Sequence, residues 1–146
     1  MTPLATENDT ATRLHTAVGR LSRRLRAMAA AEGLTPTDSS VLFSIARNGP
    51  LGMTELARTE DLNPTMLSRV VARLEERGLV QRAQDPEDRR ATLVAATPQG
   101  ADLRARIRAA RGKALGSELD HLSPAHQEAL EAALPALEAL VEAMQR

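Results

Sequence analysis

Apolar residues recur at helical spacing along most of the chain. Between Thr12 and Ala31, Leu14, Val18, Leu21, Leu25 and Met28 step by four and three, the seam of a helix that packs lengthwise on other helices. Thr35-Pro36-Thr37-Asp38 is a cap with proline at the first helical position and an acid at the third. It predicts a helix to about Arg47, ended by Asn48-Gly49 and anchored by Val41, Leu42 and Ile45. Thr54 opens a short helix running to about Glu60, with Leu56 and Ala57 inward and Leu62 closing the turn. Asn63 then caps a helix over Pro64 to Arg77, because its side chain satisfies an orphan amide and proline at the first position loses no hydrogen bond. Leu67, Val70, Val71 and Leu74 stand at i, i+3, i+4 and i+7, so one face is buried, and Gly78 supplies the left-handed stop.

After Gly78 the period shortens. LVQRA (79–83) and ATLVAAT (91–97) are short strand candidates, and the charged segment Asp85 to Arg90 between them is too polar to bury. Helical spacing returns at Thr97-Pro98, with Leu103, Ile107, Ala110 and Ala114 on one face up to about Asp120. Ser123-Pro124 opens a last helix in which Leu130, Leu134, Leu137, Val141 and Met144 form a near-heptad seam. The resulting fold class is mainly α with a small β-hairpin wing: a winged helix-turn-helix lobe plus a helical dimerisation region. The expected organisation is one domain over 1–146, with a flexible arm at 1–11, dimerisation helices at 12–35 and 101–146, and the lobe at 36–100. The seams of the first and last helices exceed what one chain can cover, and a second copy would hide the remainder.

Opposite its apolar stripe, the helix from Pro64 shows Thr65, Ser68, Arg69, Ala72 and Arg73, with small and hydroxyl residues toward the end that meets base edges when a helix enters a major groove. Pro64, Thr65, Met66, Ser68, Arg69 and Arg73 are therefore candidate contacts to double-stranded DNA. A six-residue charged loop on its own is a solvated turn. Placed directly after a helix-turn-helix, the loop becomes a candidate wing, with Arg89 and Arg90 at its tip. Asp88, two residues before Arg90, is expected to hold the Arg90 guanidinium and present it to a narrow minor groove.

The segment Leu67 to Gly100, LxRVVxRLEERGLVxRxxDPEDRRxxxVxxTxxG, resembles the MarR family of winged-helix transcription regulators, and the likeness extends over most of the chain. The resemblance implies a homodimer on a pseudo-palindromic operator, acting as a repressor and released by a small anionic or phenolic ligand. It also implies that Pro64 to Arg77 is the recognition helix and that Arg90, with Asp88, is the minor-groove arginine. Ala96 departs from the pattern, which often has leucine there, and loosens the expected packing of the wing's return strand.

Composition removes several other functions. Of 146 residues none is cysteine, which excludes a thiolate metal site and a thiol redox sensor. No glycine-rich phosphate loop is present, and His15, His121 and His126 are scattered, so neither an enzyme nor a metal or cofactor site is expected. No charged-then-apolar leader and no apolar run of about 18 residues occurs, so a cytoplasmic protein without membrane contact is expected. The net charge is zero, yet residues 98–113 are +4 (five cations against Asp102) and 114–146 are −5 (six acids against Arg146). A small aromatic carboxylate effector would have to use apolar walls and an arginine such as Arg20 or Arg24, because Phe43 is the only aromatic residue and otherwise reads as core filler. The competing reading of the lobe is a winged-helix protein-protein adaptor that does not bind DNA.

Overall fold

Caps and glycines set the element boundaries of the computed structural model, which describes residues 4–144. The order is α1 (Leu4–Ala30), α2 (Pro36–Asn48), β1 (Leu51–Gly52), α3 (Met53–Thr59), α4 (Pro64–Glu76), β2 (Val80–Gln84), β3 (Thr92–Ala96), α5 (Pro98–Asp120) and α6 (Pro124–Met144). Thr35 accepts from the Asp38 amide at 3.1 Å and Asn63 from the Met66 amide at 2.8 Å, as their cap positions require. Gly49 and Gly78 stop α2 and α4 at φ of 80° and 69°, a region closed to most other residues. Asp61 takes the same hand (φ 52°) in the α3–α4 turn.

Three elements depart from the sequence expectation. The arm expected at 1–11 is helical from Leu4, and residues 1–3 lie outside the described residues. No glycine or proline interrupts 4–18, and Asp9 pairs with Arg13 one turn on at 3.8 Å, so helix continues without an apolar seam. The helix α3 begins at Met53 with Gly52 as its N-cap, which places Thr54 inside the first turn rather than at the cap. Finally, the hairpin gains a third strand: β1 pairs antiparallel with β3 through Leu51↔Val94 and Gly52↔Leu93, giving the order β1-β3-β2. Two residues are too few to show a period of two.

The chain divides into two compact units, Met1–Arg108 and Ala109–Arg146. In the first, Val41, Leu42, Ile45, Leu56, Leu67, Val70, Val71, Leu74, Leu79, Val80 and Val94 are buried together, with Leu103 and Ile107 of α5 and with Ala29 and Leu34 around the end of α1. Phe43 packs against this cluster, as does Ala96 at the position where the family pattern often has leucine. The strand β3 runs directly into α5. Thr97 donates its hydroxyl to the Gly78 carbonyl (2.6 Å), accepts from the Gly100 amide (3.1 Å), and its own amide donates to the Leu79 carbonyl (3.1 Å).

The second unit holds the rest of α5 and all of α6. Gln127 closes the end of α5 by donating to the carbonyls of Leu119 (2.8 Å) and Leu122 (3.1 Å). The Ser123 hydroxyl caps α6, accepting from the His126 amide at 3.3 Å, and it also meets the His126 ring, while His121 bonds the Ser117 carbonyl. No described residue of α6 is buried.

Candidate nucleic-acid interface

The helix α4 is two-faced. Leu67, Val70, Val71 and Leu74 are buried, while Thr65, Met66, Ser68 and Arg69 are exposed along its N-terminal half. Met66, half exposed at 50%, sets an apolar side chain among hydroxyls, a mixture suited to base edges that carry thymine methyl groups. No acidic residue occupies the first turn of α4, so its positive helix end is uncompensated there.

The C-terminal half of α4 is tethered on three sides. Arg73, expected on the DNA face, turns to α2: its Nη2 and Nε donate to the two carboxylate oxygens of Asp38, at 2.5 and 3.4 Å. That hydrogen bond holds the guanidinium above its ordinary pKa, against the effect of desolvation. Asp38 is itself buried, so the pair places a carboxylate inside the lobe with a partner rather than alone. Glu75 faces Arg82 of β2 at 3.4 Å, and Arg77 donates Nη1 to the Gly33 carbonyl (2.8 Å) and Nη2 to the Glu32 carbonyl (2.9 Å). Sequence reading missed Asp38 and Arg77. An acid in a first turn signals only a cap, and an arginine just before a stop glycine signals only a helix end.

At the wing, Asp85 to Arg90 form a braced loop. The Asp85 amide donates to the Ala91 carbonyl (3.0 Å), Ala91 donates to the Asp88 carbonyl (2.9 Å), and the Gln84 amide group donates to the Arg89 carbonyl (2.7 Å). Asp85 Oδ1 accepts from the Glu87 amide and Asp88 Oδ1 from the Arg90 amide, at 2.9 and 3.0 Å. This corrects the expected role of Asp88. It orders the backbone of Arg90 through an Asx turn instead of gripping the guanidinium, because a carboxylate two residues back lies closer to the amide than to the end of a long side chain. Arg89 and Arg90 are exposed.

Between the N-terminal turns of α2 and α4 lies an open cavity of about 650 Å³ lined by Thr35, Thr37, Asn63, Thr65, Met66, Arg69, Val70 and Arg73. Of the residues expected at an effector site, Arg20 and Arg24 are exposed on α1 and Phe43 packs on the lobe core; none lines this cavity. Among the described residues no group of three His, Asp or Glu side chains is placed to hold a metal ion, and no helix is long and apolar enough to cross a membrane.

Comparison with known proteins bears on the chain as a whole. The profile described as "MarR family" matches residues 34–92. An HTH-type transcriptional regulator of Mycobacterium bovis is 34% identical over 129 residues, 88% of this chain and 90% of its own. The HTH-type transcriptional repressor MdtR of Bacillus subtilis is 30% identical over 69 residues, 47% of this chain and 44% of its own. Among solved structures, a mutant MarR from E. coli superposes with a TM-score of 0.76 at 25% identity, covering 94% of this chain and 97% of that one.

Proposed function

The chain belongs to the MarR family of transcription regulators, and from that premise we propose that it is a homodimeric repressor that binds a pseudo-palindromic operator. Family membership makes it a regulator and not an enzyme. The observation that carries the DNA reading is the placement, in one compact unit, of an exposed α4 N-terminal face (Pro64, Thr65, Met66, Ser68, Arg69) and an ordered wing tip (Arg89, Arg90). The α4 face enters the major groove and Arg90 the flanking minor groove. Arg73, paired with Asp38, ties α4 to α2 within the lobe. The repressor assignment is drawn from the likeness to the transcriptional repressor MdtR, and the homodimer from the exposed apolar residues of α1 and α6.

The test is a duplex pool of random sequence, from which the protein should select an inverted repeat. Binding should weaken steeply with salt, because each neutralised phosphate releases about 0.9 counterion. Arg90→Ala should cost about 1–3 kcal/mol per half-site and relax the flanking A·T preference, whereas Arg69→Ala should relax the major-groove positions. An adaptor would select no repeat, and an Arg90→Ala variant with unchanged affinity and salt slope would overturn the wing assignment.

A small aromatic carboxylate that releases DNA would enter the α2–α4 cavity, whose walls combine Met66 and Val70 with hydroxyls, Arg69 and the Asp38-paired Arg73. The cavity shares Thr65, Met66 and Arg69 with the proposed DNA face, so a ligand there competes with DNA directly. With no ring available for stacking, the affinity expected is of order millimolar, about 4 kcal/mol. Calorimetric titration of salicylate should give heat with the free protein and none with the operator-saturated protein; equal binding in both would reject competition.

A further inference from the structure

We propose that Arg77 is the positioning residue that couples the orientation of the recognition helix α4 to α1, and so sets the spacing of the two recognition helices in the dimer. The inference rests on the homodimeric operator-binding reading above.

The end of α1 is an exposed turn whose last two carbonyls have no partner within the helix. Gly33 (φ 76°) and Leu34 donate back to the carbonyls of Ala30 and Ala29, which uses the last helical acceptors and leaves the carbonyls of Glu32 and Gly33 facing away from the helix. The last turn of α1 holds no basic residue to meet them. Arg77, at the C-cap of α4, meets both carbonyls from another element with one planar guanidinium, at 2.8 and 2.9 Å, while Arg106 of α5 approaches only the Glu32 carboxylate, at 3.9 Å. Such a fork fixes direction as well as distance, because both bonds are kept only in one orientation of the plane. The turn is rooted on its inner side by Ala29 and Leu34, both buried, so a pull on α1 moves a packed element and not a loose loop.

What α1 carries makes this tie consequential. Val18 and Leu21 are each 49% exposed on α1, the apolar positions a partner chain would cover. The orientation of α1 is then set by the dimer, and Arg77 passes that orientation to α4 from the C-terminal end. Because α4 is packed in one core with α2 and α3, the Thr65 to Arg69 face that meets the bases turns together with the lobe. Neither Arg77 nor the turn lies on the proposed DNA face, so its role reads out in geometry rather than in contacts.

Three duplexes test this: the inverted repeat selected by the wild-type protein, its single half-site, and the repeat with one base pair inserted at its centre. Wild-type protein should bind the repeat best and be penalised by the insertion. Arg77→Ala should weaken binding to the repeat by about tenfold, equivalent to about 1.4 kcal/mol of lost alignment. It should leave half-site affinity and salt slope unchanged, and shrink the insertion penalty. Arg77→Lys keeps the charge without the fork and should fall between the two. If the alanine variant does not fold, the lysine variant carries the same comparison. An unchanged insertion penalty in a folded variant, or an equal loss on half-site and repeat, overturns the inference. Failure of the wild-type protein to select any inverted repeat overturns instead the operator reading beneath it.

Discussion

Asp88 shows how far a single residue can be read from sequence. Its spacing before Arg90 leads to the expectation that it holds the guanidinium, whereas in the structure Oδ1 accepts from the Arg90 amide at 3.0 Å. The two possibilities separate on substitution. An Asx turn needs only a carbonyl-type oxygen at that position, so Asp88→Asn should bind operator about as well as wild type, aided slightly by the removal of a negative charge near phosphate. Asp88→Ala loses the turn and should cost about 0.5–1.5 kcal/mol of binding, the net worth of an ordinary hydrogen bond. Fluorescence anisotropy on the selected repeat would decide it. If Asn weakens binding as much as Ala does, the carboxylate charge matters and the guanidinium pairing is restored. Arg73 teaches the complementary lesson. Helical periodicity puts it correctly on the exposed face of α4, but it contains nothing about Asp38, which lies 35 positions earlier and meets it only once the lobe has closed.

At the scale of elements, local chemistry made most boundaries legible. Thr35, Asn63 and Ser123 each cap the helix they precede, and the four-residue stripe of α4 is buried as its spacing requires. The parts that were not legible depend on partners distant in sequence, as with β1, or on the absence of a breaker, as with the N-terminal half of α1. The junction of β3 and α5 belongs to the first kind. Gly100 sits within the first turn of α5, where alanine would ordinarily gain about 1 kcal/mol of helix propensity. A Cβ there, however, would lie 2.0 Å from the Leu79 carbonyl oxygen, a backbone atom that can yield only if β2 or α5 moves. Moving either would break the Thr97 bonds to Gly78 and Leu79. Steric cost therefore exceeds propensity, and Gly100→Ala should destabilise the protein by about 1–3 kcal/mol, the range for overpacked sites. A thermal melt with a lowered midpoint is the expected result. A midpoint equal to wild type or higher would mean that the β3–α5 junction is loose, and that the wing is not rigidly joined to α5.

For the whole molecule the question is what covers its apolar surface. Leu130, Leu134, Leu140, Val141 and Met144 of α6 are exposed at 43, 52, 43, 55 and 80%, and Leu119 and Leu122 at the preceding turn at 40 and 38%. Scattered exposed leucines are ordinary, but a helix with no buried residue and this many large apolar side chains has no reason to stay folded in water alone. The seam from Leu130 to Met144 was visible in the sequence as a near-heptad too long for one chain to cover, and the structure leaves its residues without burial. A second copy would supply an identical seam by symmetry, letting one surface complement itself. Sedimentation should accordingly give twice the chain mass at micromolar concentration. Leu134→Glu with Val141→Glu places two like charges on each seam and should produce a monomer. The lobe in that monomer, whose core lies in the other compact unit, should retain its α4 face and wing and still bind a half-site weakly, while losing the preference for the inverted repeat. A double variant that remains dimeric, or a wild-type protein that sediments as a monomer, would show that the α6 seam is not the dimer contact. A monomeric variant that still prefers the inverted repeat would show that recognition does not depend on pairing two lobes.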